Sequence, residues 1–305
     1  MKSPLKGFFL SLVTAVMWGA LPLIMQQVLT VMHPQTVVAS RFLAAALILG
    51  VFLQRRQRLP SWRTLSQPRY AWLLLMGVFG LVGNFWLFST ALLFLPAAAS
   101  QVLAQLSPFF LLFAGVFFLK EALGRNQRIG AAILFSGILL FFNRELPTLF
   151  AGGLGGKSLG ILLSVAACLA WTCYGLAQKI LLRDFPAQQI LFVLYCGSAL
   201  AAAPFAAWSE LQALDGYQWL CLLFCCLNTP IAYGAFAEAL NYWEVSKVST
   251  TITLVPLFTI AFAALGHWLQ PQRFAAADVN LLAAVGAALV VSGAICSALQ
   301  QRQKR

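Results

Sequence analysis

The chain has 305 residues, 61% of them apolar and only 9% charged, with a mean hydropathy of +0.84 and a formal net charge of +12. So few polar groups cannot coat a soluble globule, and the basic excess fits the cytoplasmic loops of a multispanning membrane protein rather than a nucleic-acid partner. A bilayer core about 30 Å thick takes roughly 20 apolar residues per helix, so ten short-looped spans fit the length, and the apolar runs lack the alternation of a transmembrane β-barrel.

The first span is expected at residues 7–29, after Lys2 and Lys6, and is too long, with no A-x-A site, to read as a cleavable signal. A turn at His33 and Pro34 leads to the second, residues 36–53, followed by a basic loop holding Arg55, Arg56, Arg58, Arg63 and Arg69. The third covers residues 70–92, and after Leu95 and Pro96 comes the fourth, residues 98–123, an apolar helix carrying Gln101 and Gln105 and kinked at Pro108. It leaves through Lys120 and Glu121 toward the fifth, residues 129–142. A polar connector with Pro147 and the run AGGLGGKS follows; without a first glycine or a preceding strand, that run reads as a hinge and not a phosphate-binding loop. The remaining spans are expected at residues 158–178, 187–207, 217–240, 247–269 and 279–299.

The second half echoes the first. Gly7 and Trp18 recur as Gly160 and Trp171 at an offset of 153, Pro34 as Pro186 at 152, and Pro108 as Pro256 at 148, with Ser249 and Thr253 at the Gln101 and Gln105 positions. Five spans per unit, an odd number, make the second unit enter from the opposite face. The expected fold is therefore an all-α polytopic membrane protein: ten transmembrane helices in two inverted five-helix repeats, residues 1–145 and 157–305, joined by a connector at 146–156. With both termini cytoplasmic, sixteen Lys and Arg residues fall inside and three (Arg144, Lys157 and Arg273) outside. Inverted repeats of this kind occur in secondary transporters that bind near the midplane.

The WGALPL run from Trp18, the spacing of Pro34 to Arg41 and Phe42, and the passage from SPFF to LKEAL resemble the EamA family of the drug/metabolite transporter superfamily. The resemblance implies a ten-helix carrier of the bacterial inner membrane, with a central cavity lined mainly by spans one, three, four, six, eight and nine. It also implies the export of amino acids or other small metabolites. Two features depart from the family pattern: Trp268 and Leu269 stand opposite Lys120 and Glu121, and Val193 stands opposite Arg41.

Candidates for the cavity are Trp18, Asn84, Gln101, Gln105, Trp171, Tyr174, Asn228, Tyr233 and Thr253. Amides and hydroxyls can orient a substrate or bond neighbouring helices, and aromatic rings can stack on a substrate or pack. Asn84 and Asn228 stand one turn out of register between the repeats. Pro108 and Pro256 should free the carbonyls of Ala104 and Ile252 toward a cavity or leave a packed kink. Arg41 and Glu238 are ionisable residues in or near the apolar slab, serving substrate, serving coupling or snorkelling to the surface. The seven cysteines fall in apolar runs without a CxxC pair and read as small core residues. No metal, cofactor or catalytic cluster is expected, which leaves an intramembrane enzyme or a non-transporting receptor or scaffold as rival classes. The expected partners are a small-molecule substrate and the lipid bilayer, with no nucleic acid, and a monomer is the expected assembly.

Overall fold

The computed structural model describes residues 4–61, 65, 67–120, 124–144, 155–243, 248, 251–275 and 280–298. Glu121, Pro147, residues 151–154, Lys247 and Ser249 lie outside them. The described residues form helices α1 (Pro4–Val28), α2 (Pro34–Arg55), α3 (Pro68–Ala91), α4 (Ala97–Ala104), α5 (Leu106–Leu119) and α6 (Arg125–Phe141). The second half supplies α7 (Gly156–Leu181), α8 (Ala187–Ala202), α9 (Gly216–Tyr242), α10 (Val255–Leu269) and α11 (Leu281–Ala298), with two short 3₁₀ turns, Ala203–Phe205 and Trp208–Ala213. Among the described residues there is no strand. Seven helical spans among the described residues are long and apolar enough to cross a membrane, and α10 and α11 are shorter apolar helices. Phe79, Phe117, Leu200 and Leu281 are 71–81% exposed, a surface that a soluble chain would not present.

Prolines and one acid set the helix starts. Pro34 and Pro68 occupy first-turn positions, where their missing N–H costs nothing. Asp215 caps α9 by accepting from the Gln218 backbone N–H at 2.7 Å, while the Gln218 side chain accepts from the Asp215 N–H at 3.1 Å.

Three spans depart from expectation by a break or an early end, and the helix of the fifth begins at Arg125, four residues ahead of its expected start. The seventh expected span, α8, ends at Ala202 rather than residue 207, because Pro204 turns the chain into the 3₁₀ segment. The fourth span is two helices and not one kinked helix: α4 stops at Ala104, Gln105 caps it, and Pro108 is the third residue of α5. The ninth breaks likewise at Thr253 and Leu254, with Pro256 the second residue of α10. A proline sits comfortably in a first turn and badly in a helix interior, so each span restarts just ahead of its proline.

The main packing partners come in matching couples: α1 with α9 and α3 with α7, α1 with α10 and α5 with α7, α2 with α8, and α6 with α11. The α6–α11 pair is the closest. A Cβ on Gly130 would stand 2.5 Å from the Gly293 carbonyl oxygen, and one on Gly137 would stand 2.6 Å from the Val290 nitrogen, so glycine alone permits this approach. The largest buried cluster lies between α2, α3, α7 and α8, around Phe42, Leu81, Tyr174, Leu194 and Tyr195.

Candidate functional site

Three successive carbonyls in the middle of α1 accept side-chain donors from three other helices. Asn228 Nδ2 of α9 donates to Met17 O at 2.6 Å, Gln101 Nε2 of α4 donates to Trp18 O at 2.9 Å, and Thr259 Oγ1 of α10 donates to Gly19 O at 2.8 Å. The cause lies within α1, where Pro22 has no N–H to offer the Trp18 carbonyl four residues back. In an apolar surround that oxygen needs a donor, and Gln101 supplies it. The fully buried Asn228 keeps its Oδ1 without a partner.

On the other side Asn84 Nδ2 of α3 donates to the Ala167 carbonyl of α7 at 2.9 Å, and Cys168 Sγ approaches the Leu103 carbonyl at 3.4 Å. Asn84 and Asn228 thus do the same job in the two halves despite standing one turn out of register, because the carbonyls they meet have shifted as well. Gln105 is buried at the break, and among the described residues its side chain makes no hydrogen bond. Thr253, at the equivalent break, is also buried.

The aromatic candidates meet around Tyr233, which packs with Trp171 against the cluster that holds Tyr174. The Trp18 ring meets Tyr233 edge-on at 5.2 Å and Phe236 at 6.0 Å, on the α1–α9 side. The Trp171 ring meets Tyr174 at 6.1 Å within α7, where Tyr174 is a core residue.

Arg41 does not snorkel. It is 3% exposed, with Nε and Nη2 both donating to Thr229 Oγ1 at 3.2 Å and Nη1 3.7 Å from Met25 Sδ. Its guanidinium carbon lies 4.4 Å from the centre of the Phe85 ring. Among the described residues no carboxylate pairs with it. Burying an unpaired ion costs on the order of several kcal/mol, and a cation–π contact returns about 2 kcal/mol, so its neighbours offset only part of that cost.

A cavity of about 490 Å³ opens between α2, α8 and α9, lined among others by Ile48, Phe52, Leu191, Tyr195, Pro230, Tyr233 and Glu238; Arg41 and Thr229 are not on its wall, and Thr229 directly precedes the wall residue Pro230. Tyr233 and Glu238 are the two sequence candidates that line it. The central set of spans expected from the resemblance is not the set that encloses it. Tyr195 went unnoticed in the sequence: it is 1% exposed, lines the cavity, and among the described residues its hydroxyl has no hydrogen-bond partner.

At the far end from the basic loop, His33 beside the start of α2 meets Glu210 of the second 3₁₀ turn through Nδ1 and Oε1, and its backbone N–H donates to Oε2 at 2.9 Å. Burial works against the Glu210 carboxylate, yet its bonds from His33 and Thr36 outweigh that and hold its pKa below the usual value.

The EamA-like transporter family matches residues 5–143 and again 158–299. An uncharacterized transporter of Haemophilus influenzae is 46% identical, covering 98% of this chain and 96% of that protein. The uncharacterized inner membrane transporter YhbE of Escherichia coli K12 is 45% identical over 97% of this chain and 92% of its own. A probable amino-acid metabolite efflux pump of Salmonella typhimurium is 25% identical over 98% and 97%. A crystal structure of another protein, 21% identical, shares the fold with a TM-score of 0.63 over 96% of this chain and 94% of that one. Two family matches that together span nearly the whole chain, on an all-helical and lipophilic structure, make it a member of the EamA-like transporter family.

Proposed function

We propose that the protein is a secondary carrier of the bacterial inner membrane that exports small metabolites, amino acids or their analogues first among them, by alternating access. Its ten spans would form two inverted five-helix units, residues 1–145 and 157–305 around a connector at 146–156, with both termini cytoplasmic as the distribution of Lys and Arg favours. The observation that carries this reading is the pair of helix breaks, at Gln105 and at Thr253 and Leu254, in matching positions of the two halves. Irregular backbone at membrane depth belongs where a transporter binds and rocks. The amino-acid class is supported by the Salmonella relative, a probable amino-acid metabolite efflux pump.

Reconstitution in liposomes tests the proposal through counterflow of labelled amino acids and related metabolites. Exchange of at least one ligand is expected, and binding without any exchange would sink the carrier reading. Glu238, part-exposed on the cavity wall, is the group proposed to couple a proton. Glu238→Gln should then remove the dependence on a pH gradient while leaving counterflow, and an unchanged pH response would take Glu238 out of the mechanism.

A further inference from the structure

Arg41 and Tyr195 are each incomplete in a complementary way. The guanidinium is a buried cation whose partners are one hydroxyl shared by two N–H groups and one thioether. The Tyr195 hydroxyl is a buried donor with no acceptor among the described residues. They belong to one locality: Tyr195 packs on Phe42, the residue after Arg41, with ring centres 6.3 Å apart, and Tyr195 and Tyr233 are electrostatic neighbours of the guanidinium. Pro230, next to the Arg41 partner Thr229, lines the cavity together with both tyrosines.

Glu238 cannot serve as the missing anion. It lies nine residues beyond Thr229 on α9, roughly 13 Å along the helix axis. A planar fork of N–H donors with no acid opposite matches a carboxylate in two-point fashion.

We propose that the wall of this cavity at Tyr195 and Pro230 is an anion site, in which the Tyr195 hydroxyl and, from behind that wall, Arg41 take the carboxylate of a small organic acid or amino acid whose apolar body lies against Leu191, Pro230 and Ile231. Thr229 and Phe85 are the positioning residues that hold the guanidinium until the ligand arrives. This rests on the carrier reading and narrows its substrate to molecules with a free carboxylate.

The test is a thermal-shift series on the purified full-length protein with benzoate, 3-phenylpropionate, leucine and phenylalanine, each beside its carboxamide, the amino acids also beside their decarboxylated amines, and inorganic phosphate alone. At least one carboxylate should raise the melting temperature while its amide and amine do not. Arg41→Gln should weaken that ligand by about 30-fold or more. Tyr195→Phe should weaken it about fivefold without lowering the melting temperature of the ligand-free protein, since the hydroxyl bonds nothing there. The second variant keeps the test sharp if the first folds poorly. Equal response to amide and acid, a response to phosphate alone, no response to any carboxylate, or unchanged affinity in Tyr195→Phe would each overturn the site. Counterflow of the stabilising carboxylate separates the two proposals: binding without exchange removes the carrier and leaves the site, whereas exchange indifferent to both variants removes the site and leaves the carrier.

Discussion

Helices α1 and α7 hold equivalent places, since Gly7 and Trp18 of one fall on Gly160 and Trp171 of the other, and each packs against the third-span helix of the opposite half. They solve the same problem differently. α1 carries Pro22 and is braced at three consecutive carbonyls by Asn228, Gln101 and Thr259. α7 has Gly175 at the matching place and is described with one such brace, from Asn84. Similar outlines therefore conceal unequal stiffness. The first half has given up a backbone hydrogen bond and recovered it from a glutamine on the helix that breaks, so the α4 break and Pro22 of α1 are tied together. Arg41, with no carboxylate partner among the described residues, stands in the same half, opposite a valine in the other.

The largest effect should come from forcing α7 to copy α1. Gly175→Pro withdraws the N–H from the Trp171 carbonyl, and among the described residues no side chain is placed to replace it. A cost of about 3 kcal/mol or more is expected, read as a fall in the thermal midpoint of the purified protein, whereas Pro22→Ala in α1 should cost far less. Equal losses from the two would end the claim that the helices differ in bracing.

Next is the brace itself. Gln101→Leu leaves the Trp18 carbonyl without a donor in an apolar surround and should cost roughly 1–3 kcal/mol. In a Pro22→Ala background the backbone N–H returns and the same substitution should cost little. A double-mutant cycle measures that coupling directly, and simple additivity would show that the glutamine acts for some other reason.

The sequence carried much of this and hid the rest for identifiable reasons. Apolar runs marked where the described residues form helices, seven spans of them long and apolar enough to cross a membrane, and Pro108 and Pro256 marked both breaks to within three residues. Pro22 was equally visible, but its consequence depends on Gln101, 79 residues away, and no local pattern joins them. Arg41 had two local outcomes, snorkelling or burial, and what decides between them is Thr229 on α9, 188 residues along the chain. Tyr195 has no polar neighbour in sequence to set it apart from a packing tyrosine; its interest comes from the hydroxyl that the fold leaves unpaired.

A smaller loss is expected on the α10 side of the brace. Thr259 Oγ1 lies 2.8 Å from the Gly19 carbonyl and 3.1 Å from that of Val255 in its own helix, so its one proton is shared. Thr259→Val keeps the shape and removes that proton, for about 1 kcal/mol. A penalty as large as that of Gln101→Leu would mean that the Gly19 carbonyl depends on the threonine as completely as the Trp18 carbonyl does on the glutamine, and that the Pro22 explanation is too narrow.

The smallest effect distinguishes the ends of the two helices. The turn after α1 meets an acid from the other half, Glu210, whereas the turn after α7 offers its own acid, Asp184, to Tyr70 at 3.1 Å and Arg69 at 3.8 Å. Glu210 is the better buried acid, 13% exposed against 38% for Asp184. A carboxyl held below its unfolded value of about 4.5 stabilises the fold above that pH and loses the contribution as pH falls through its lower folded value. The contact with an exposed histidine should be worth less than about 1 kcal/mol. Thermal midpoints of the wild type and Glu210→Gln should therefore differ near neutral pH and converge in acid below about 4.5. Curves that stay parallel through that range would show that the charge on Glu210 does not fasten the end of α1, and that its bonds to the His33 N–H and Thr36 serve equally well without it.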